Sequence, residues 1–211
     1  MVKAAEKPKH VDVRPDAMDI PEPLTLRLRP VLEITPEILL ELSSLNGDLR
    51  LELTAEGELI VMSPTNLDTG WMNVKINARL FGWAEQDDTG VMGDSSTGFT
   101  LKGKAVRAPD ASWLSRARLD ALRPDQHRPY PDICPDFVIE LRSPSDRLRA
   151  VQRKMDEWLD NGIRLGWLID PDAKRVYVYQ PGAEMQQLDN PDSVSGDPVL
   201  PGFVLKLGEI W

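Results

Sequence analysis

The segment Asp136-Phe137-Val138-Ile139-Glu140-Leu141 limits what this chain can fold into more than any other. It is the clearest buried strand in the sequence, an apolar run with acids at both ends. An ionised carboxylate on such a strand needs a cation or a hydrogen-bond partner, because desolvating it unpaired is very costly. A second acid, Asp110, follows Pro109 at the boundary of another expected strand. Two strand-borne acids brought together by adjacent strands make a hard-oxygen site suited to magnesium or manganese. Such a site activates water and stabilises the charge growing on a phosphate. The plainer alternative places Glu140 at a strand edge, paired with Arg142 or Arg164. Spacing alone leaves both open.

The remaining elements fall around that strand. Residues 1–30 are polar and proline-punctuated, and are expected to form a flexible or clasping N-terminal arm, leaving 31–211 as one domain. Thr35-Pro36-Glu37 starts a helix that Asn46-Gly47 ends. Arg50–Thr54 and Glu58–Met62 form a hairpin across Ala55-Glu56-Gly57. Trp71, Val74, Ala78 and Phe81 recur at helical spacing and predict a second helix over about 68–85. Short strands are expected around Phe99–Leu101, Val106 and Ala111–Leu114, then a short helix over Arg116–Leu122 and a proline-rich loop to Pro135. A long helix opens at Pro144-Ser145-Asp146 and reaches Asn161-Gly162. Leu165–Ile169 and Arg175–Tyr179 are a strand and its return, and Phe203–Leu207 a further strand in a turn-rich tail. The order predicts an α/β (α+β) domain with one central sheet.

A chain of 211 residues is long enough for one well-buried core and too short for two comfortable ones. Its longest apolar runs are too short to cross a bilayer. The charged stretch Met1–Pro15 lacks the apolar core of a secretory signal. A single cysteine, Cys134, points to a reducing cytoplasm. The net charge of −9 argues mildly against nucleic-acid binding over the whole surface. It does not exclude a metal-dependent nuclease, which clusters carboxylates and needs only a local basic rim.

Lys154 shares one edge of the long helix with Val151 and Trp158, beside the buried stripe. There it can aim its ammonium at the end of the sheet carrying Glu140, or snorkel to the surface. Arg142, Arg147, Arg149, Arg153 and Lys154 are either a phosphate-facing rim or a solvated helix face. Other chemistries fare worse. His10 and His127 give no metal cluster and no Ser-His-Asp set, and no glycine-rich phosphate loop is present. Ser63-Pro64 and Ser143-Pro144 read as turns. Trp71, Trp83, Trp113, Trp158 and Trp167 read as core rather than base-stacking platforms.

Pro109-Asp110 followed by Glu140 on the next long strand resembles the split signature of the PD-(D/E)XK nuclease superfamily. The similarity is closer to one branch, the Uma-two family of restriction-endonuclease-like proteins. It is carried by Arg50-Leu51-Glu52-Leu53 with Gly57-Glu58-Leu59, Val61-Met62-Ser63-Pro64, and Val106-Arg107-Ala108-Pro109-Asp110. Pro135–Glu140 with Ser143–Asp146 follows, then Lys154 with Trp158 and Gly162, Trp167–Pro171, Val176–Tyr179 and Leu200-Pro201-Gly202-Phe203. These stretches run in order from about residue 33 onward. No single one is specific; the ordered set is.

The resemblance implies a restriction-endonuclease-like fold, a central mixed sheet flanked by helices, and commonly a homodimer. It also implies Mg2+ or Mn2+ held by Asp110 and Glu140, with Glu52 completing the metal shell. The superfamily lysine would fall at Arg142, which does not shed a proton readily but can hold phosphate. Lys154 matches a family lysine on the following helix and is its relocated substitute. Two departures stand out. The family's histidine after the Met-Ser-Pro segment is missing from Asn66-Leu67-Asp68-Thr69-Gly70, and Trp158 stands where a tyrosine is usual. The leading expectation is an Mg2+-dependent endonuclease hydrolysing DNA, with RNA or branched substrates not separated by sequence. The alternative is a catalytically silent module for nucleic-acid binding or dimeric interaction.

Overall fold

Thr35 starts the first helix, its hydroxyl accepting from Ile38 N at 3.3 Å with Pro36 in the first helical position. In the computed structural model, which describes residues 23–62 and 64–211, that helix is α1 (Pro36–Leu45). It is flanked by β1 (Leu24–Arg27), β2 (Arg50–Leu53) and β3 (Glu58–Met62), the last two being the expected hairpin. Helix α2 (Leu67–Asp87) begins where Asn66 Oδ1 accepts from Thr69 N at 2.8 Å. It ends at Asp88 in the left-handed region. Next come β4 (Gly90–Asp94), β5 (Phe99–Thr100), β6 (Val106–Arg107), β7 (Ala111–Ser115) and α3 (Arg116–Asp120). The chain continues with β8 (Phe137–Leu141), α4 (Leu148–Asn161), β9 (Leu165–Asp170), β10 (Arg175–Tyr179), β11 (Gln186–Asp189), β12 (Ser193–Ser195) and β13 (Val204–Lys206).

The expected central mixed sheet has six strands in the order β11-β10-β9-β8-β7-β4. Strands β8 and β9 are parallel and joined by the α4 crossover, while the other neighbours are antiparallel. A second sheet, not anticipated, has five antiparallel strands in the order β1-β3-β2-β6-β5. Most of the arm expected over residues 1–30 falls outside the described residues. In its last part, Leu24–Arg27 adds a strand to β3. Helix α4 starts later than Pro144, because Asp146 Oδ2 accepts from Ser143 N and Oγ, both at 2.8 Å, and holds that stretch as a turn.

Alternation along β8 sorts its side chains between two cores. Phe137, Ile139 and Leu141 face α2 and the C-terminal segment, among Ile76, Leu80, Trp167 and Phe203. Val138 faces α4, among Met155, Trp158 and Leu168. Glu140 falls on that same face, so register alone aims its carboxylate at the helix carrying Lys154. A third cluster of Ile34, Leu39, Leu53, Leu59 and Val106 packs α1 on the second sheet.

The stripe that reveals α2 is its outer face. Thr69, Ile76, Leu80 and Ala84 are the buried residues, whereas Trp71, Val74, Ala78 and Phe81 are exposed. The core reading holds for Trp113, Trp158 and Trp167, and in part for Trp83, but Trp71 is corrected to the surface. Trp167 is the centre of the aromatic packing, stacked on Phe203 with ring centroids 5.8 Å apart and edge-on to Phe137 at 4.8 Å. Trp167→Ala is expected to cost about 3–5 kcal/mol in chemical denaturation, as for other fully buried aromatics. A loss below about 1 kcal/mol would contradict this central role.

Candidate active site

The two sheets meet at a cleft of about 1040 Å³ whose lining includes Arg50, Glu52, Asp110, Glu140, Arg153 and Lys154. Each comes from a different place in the fold. Glu52 is on β2, Asp110 lies in the bend between β6 and β7, Glu140 is on β8 and Lys154 is on α4. Asp110 is docked on the edge of β8, its Oδ2 accepting from Leu141 N at 2.8 Å. Asn77 on the inner side of α2 donates to Asp110 O at 3.0 Å and holds the same bend from behind.

Lys154 is the hub. Its Nζ donates to Glu52 Oε1 and Ala108 O, each at 2.9 Å, and to Glu140 Oε2 at 3.1 Å. Neither the snorkelling position for Lys154 nor an Arg142 or Arg164 partner for Glu140 is found. Trp158 Nε1 donates to Glu140 Oε1 at 2.8 Å, so the residue standing where a tyrosine is usual supplies a hydrogen bond to the carboxylate. Glu52 is fully engaged: besides Lys154 it accepts from Arg107 Nη1 at 3.0 Å and from Ala108 N at 3.3 Å.

Arg107 and Glu157 complete the network without having been singled out as site residues. Arg107 Nε donates to Glu157 Oε2 at 2.7 Å, and the guanidinium is buried between Glu52 and Glu157. A charged side chain between Val106 and Ala108 on an expected strand was the available signal, since a buried charge must find a partner. Which partner depends on the pairing of β2 with β6. Arg142 does not join the cleft. The parallel register of β8 and β9 sets it beside Asp170, to which its Nη1 donates at 2.9 and 3.0 Å.

Electrostatics sort the four groups. Burial pushes Glu140 up to about 7, and the Asp110 and Glu52 charges add to this, against the opposing pull of Lys154. Burial also raises Asp110. Burial opposes the charge on Glu52, but Lys154 and Arg107 outweigh it and hold Glu52 below the ordinary range. Burial disfavours the Lys154 ammonium, yet Glu140, Glu52 and Asp110 together raise its pKa, so it stays protonated. Among the described residues no group of three or more His, Cys, Asp or Glu side chains stands ready to hold a metal ion.

Glu140 has a pH consequence. Its folded pKa of about 7 exceeds the ordinary 4.5, so the folded chain binds this proton more tightly than the unfolded chain. The resulting contribution is complete below 4.5 and is lost as pH rises through about 7. Glu140→Gln should therefore gain stability relative to the native chain as pH increases across that window, measured by urea unfolding. A difference between the two proteins that does not change with pH would refute the assignment.

Comparison with known proteins gives the same frame. Residues 13–208 match the Uma2 family model, described as "Putative restriction endonuclease". A solved structure, described as "a putative nuclease belonging to DUF820" from Anabaena variabilis ATCC 29413, shares 21% identity. It covers 76% of this chain and 88% of its own at a TM-score of 0.66, a likeness of fold that meets the restriction-endonuclease-like expectation. No curated protein matches the chain. No helix among the described residues is long and apolar enough to cross a membrane. With a family model matching from residue 13 to 208, the chain belongs to the Uma2 family of restriction-endonuclease-like proteins.

Proposed function

We propose that the chain is a metal-dependent endonuclease that hydrolyses phosphodiester bonds of DNA in the cleft between its two sheets. The observation that carries this reading is that Asp110, Glu140 and Glu52 line one cleft with Lys154, whose ammonium contacts both glutamates. Structural frameworks rarely bury three like charges together. The cluster is understandable where a second, divalent cation is to be held.

The donor set fits such an ion. Asp110 and Glu140 are hard oxygen ligands at one end of the cleft, and mutual repulsion among the carboxylates is relieved by added positive charge. They would hold Mg2+ or Mn2+, and Glu52 would join only by exchanging its Arg107 or Lys154 contacts. When bound, the ion supplies Lewis acidity toward the phosphate and a lowered pKa for bound water. The chain's own groups do the rest. Lys154, kept protonated by its neighbours, cannot take a proton from water; it orients water and neutralises charge on the scissile phosphate. Arg50, with Nη1 3.8 Å from Asp110 Oδ1, and Arg153 give the cleft a local basic rim in a chain of net charge −9. The family description, naming a restriction endonuclease, supports DNA as the substrate.

Purified protein with magnesium or manganese is expected to nick or cut plasmid DNA. Asp110→Ala and Glu140→Ala should each reduce cleavage by at least about 100-fold, and Lys154→Met by a similar factor. Cleavage that survives the two acid substitutions, or that persists in chelator, would sink this mechanism. The silent-module reading is favoured by the engagement of Lys154 with Glu52 and Glu140. It predicts no calorimetric manganese binding that depends on Asp110 and Glu140.

A further inference from the structure

The line of contacts Glu157–Arg107–Glu52–Lys154 starts and ends on α4 and passes through the second sheet. Alternation along the strands puts it there. Leu53 and Val106 point into the core beneath α1, so their neighbours Glu52 and Arg107 point to the other face and line the cleft. Glu157 follows Lys154 by three residues and shares its side of α4. We propose that Glu52 is a positioning residue for Lys154 rather than a ligand of the metal, and that Arg107 and Glu157 act through it. This role deepens the nuclease reading and rests on it.

An ammonium has three N–H donors, and those of Lys154 divide between two tasks. Two reach groups supplied by the second sheet and the bend that follows it, Glu52 Oε1 and Ala108 O, each at 2.9 Å. Ala108 N in turn donates to Glu52 Oε1 at 3.3 Å, so Lys154, Glu52 and Ala108 close a ring of contacts. The third donor reaches Glu140 Oε2 at 3.1 Å. When Glu140 turns to a divalent ion, Lys154 keeps the ring and frees one N–H on the Glu140 side. That is the donor a phosphate oxygen or a water can use, and the ring fixes its direction.

Charge separates the three acids in the same way. Glu52 lies 2.9 Å from Lys154 Nζ and 3.0 Å from Arg107 Nη1, two cations on one carboxylate. Glu140 has only a share of Lys154, and Asp110 has, among the described residues, only the half-exposed Arg50 at 3.8 Å. A further cation on Glu52 would meet the repulsion of the two already there, whereas Asp110 and Glu140 still carry charge to be neutralised. Arg107, with its side chain 9% exposed, cannot turn to solvent, and Glu157 Oε2 holds its Nε at 2.7 Å. Each member of the line thus limits the freedom of the next, and the freedom that matters for chemistry is that of Lys154.

Manganese calorimetry and cleavage kinetics on the full chain separate positioning from ligation. Glu52→Gln should bind manganese within about 3-fold of the native chain, while kcat for plasmid cleavage falls at least about 10-fold and KM for DNA stays nearly constant. Glu157→Gln keeps an oxygen for Arg107 and lies beyond the acids that face the ion. It should show the same split with a smaller fall in kcat, and it carries the test if Glu52→Gln does not fold. In a Lys154→Met background, Glu52→Gln should cost no more than about 2-fold further, because its effect passes through the lysine. Manganese binding weakened about 10-fold or more by Glu52→Gln makes Glu52 a ligand and overturns the proposal. A full additional loss in the Lys154→Met background overturns it as well, as does an unchanged kcat in both glutamine variants with only the melting temperature lowered. A native chain that neither binds manganese nor cuts DNA removes the nuclease reading and this role with it. A native chain that does both, while Glu52→Gln loses manganese, removes the positioning role alone.

Discussion

An ammonium group buried among carboxylates ties this structure together. Lys154 leaves water to sit within 3.1 Å of Glu52 and Glu140, and the cost of desolvating those charges is offset only because every one has a partner. Glu52 is shared between Lys154 and Arg107, and Arg107 between Glu52 and Glu157. The chain of contacts runs from the second sheet, through α4, to the central strand of the first. Removing any one charge strands its neighbours in a poorly solvated place.

The same contacts explain why two sheets are needed. Glu140 and Asp110 belong to the six-stranded sheet and its entering bend, while Glu52 and Arg107 belong to the five-stranded one. The cleft opens where the sheets diverge, and α2 and α4 flank it. Helix α2 serves three surfaces at once. Its inner residues Ile76 and Leu80 join the aromatic core, its first turn lines the cleft, and its outer stripe remains apolar.

What could be read without coordinates, and what could not, follows from the range of the forces involved. The caps at Thr35 and Asn161-Gly162 mark their helices because capping is local. Strand β8 is plain because a continuous apolar run says strand without reference to neighbours. Strand β4, Gly90-Val-Met-Gly-Asp, has little intrinsic strand character and exists through its pairing with β7. Strand β1 likewise depends on β3. In α2 the apolar period is correct, but the residues that reveal it, Trp71, Val74, Ala78 and Phe81, form the exposed face. Two faces carry hydrophobic residues, and only the packing against the sheet decides which of them is inside.

For the candidate site, the residue types were legible: an acid on an apolar strand, an acid after a proline, a lysine beside a buried helical stripe. Those choices rest on the cost of burying charge, which each segment carries by itself. The tertiary structure decided the partners. It set Arg142 on Asp170 through parallel strand register, gave Glu140 to Lys154 and Trp158, and inserted Arg107 between Glu52 and Glu157. Charges find partners across distances that only the folded chain closes, so their identities are a property of sheet order and register. The sequence by itself determined which groups had to be neutralised, and the fold determined by what.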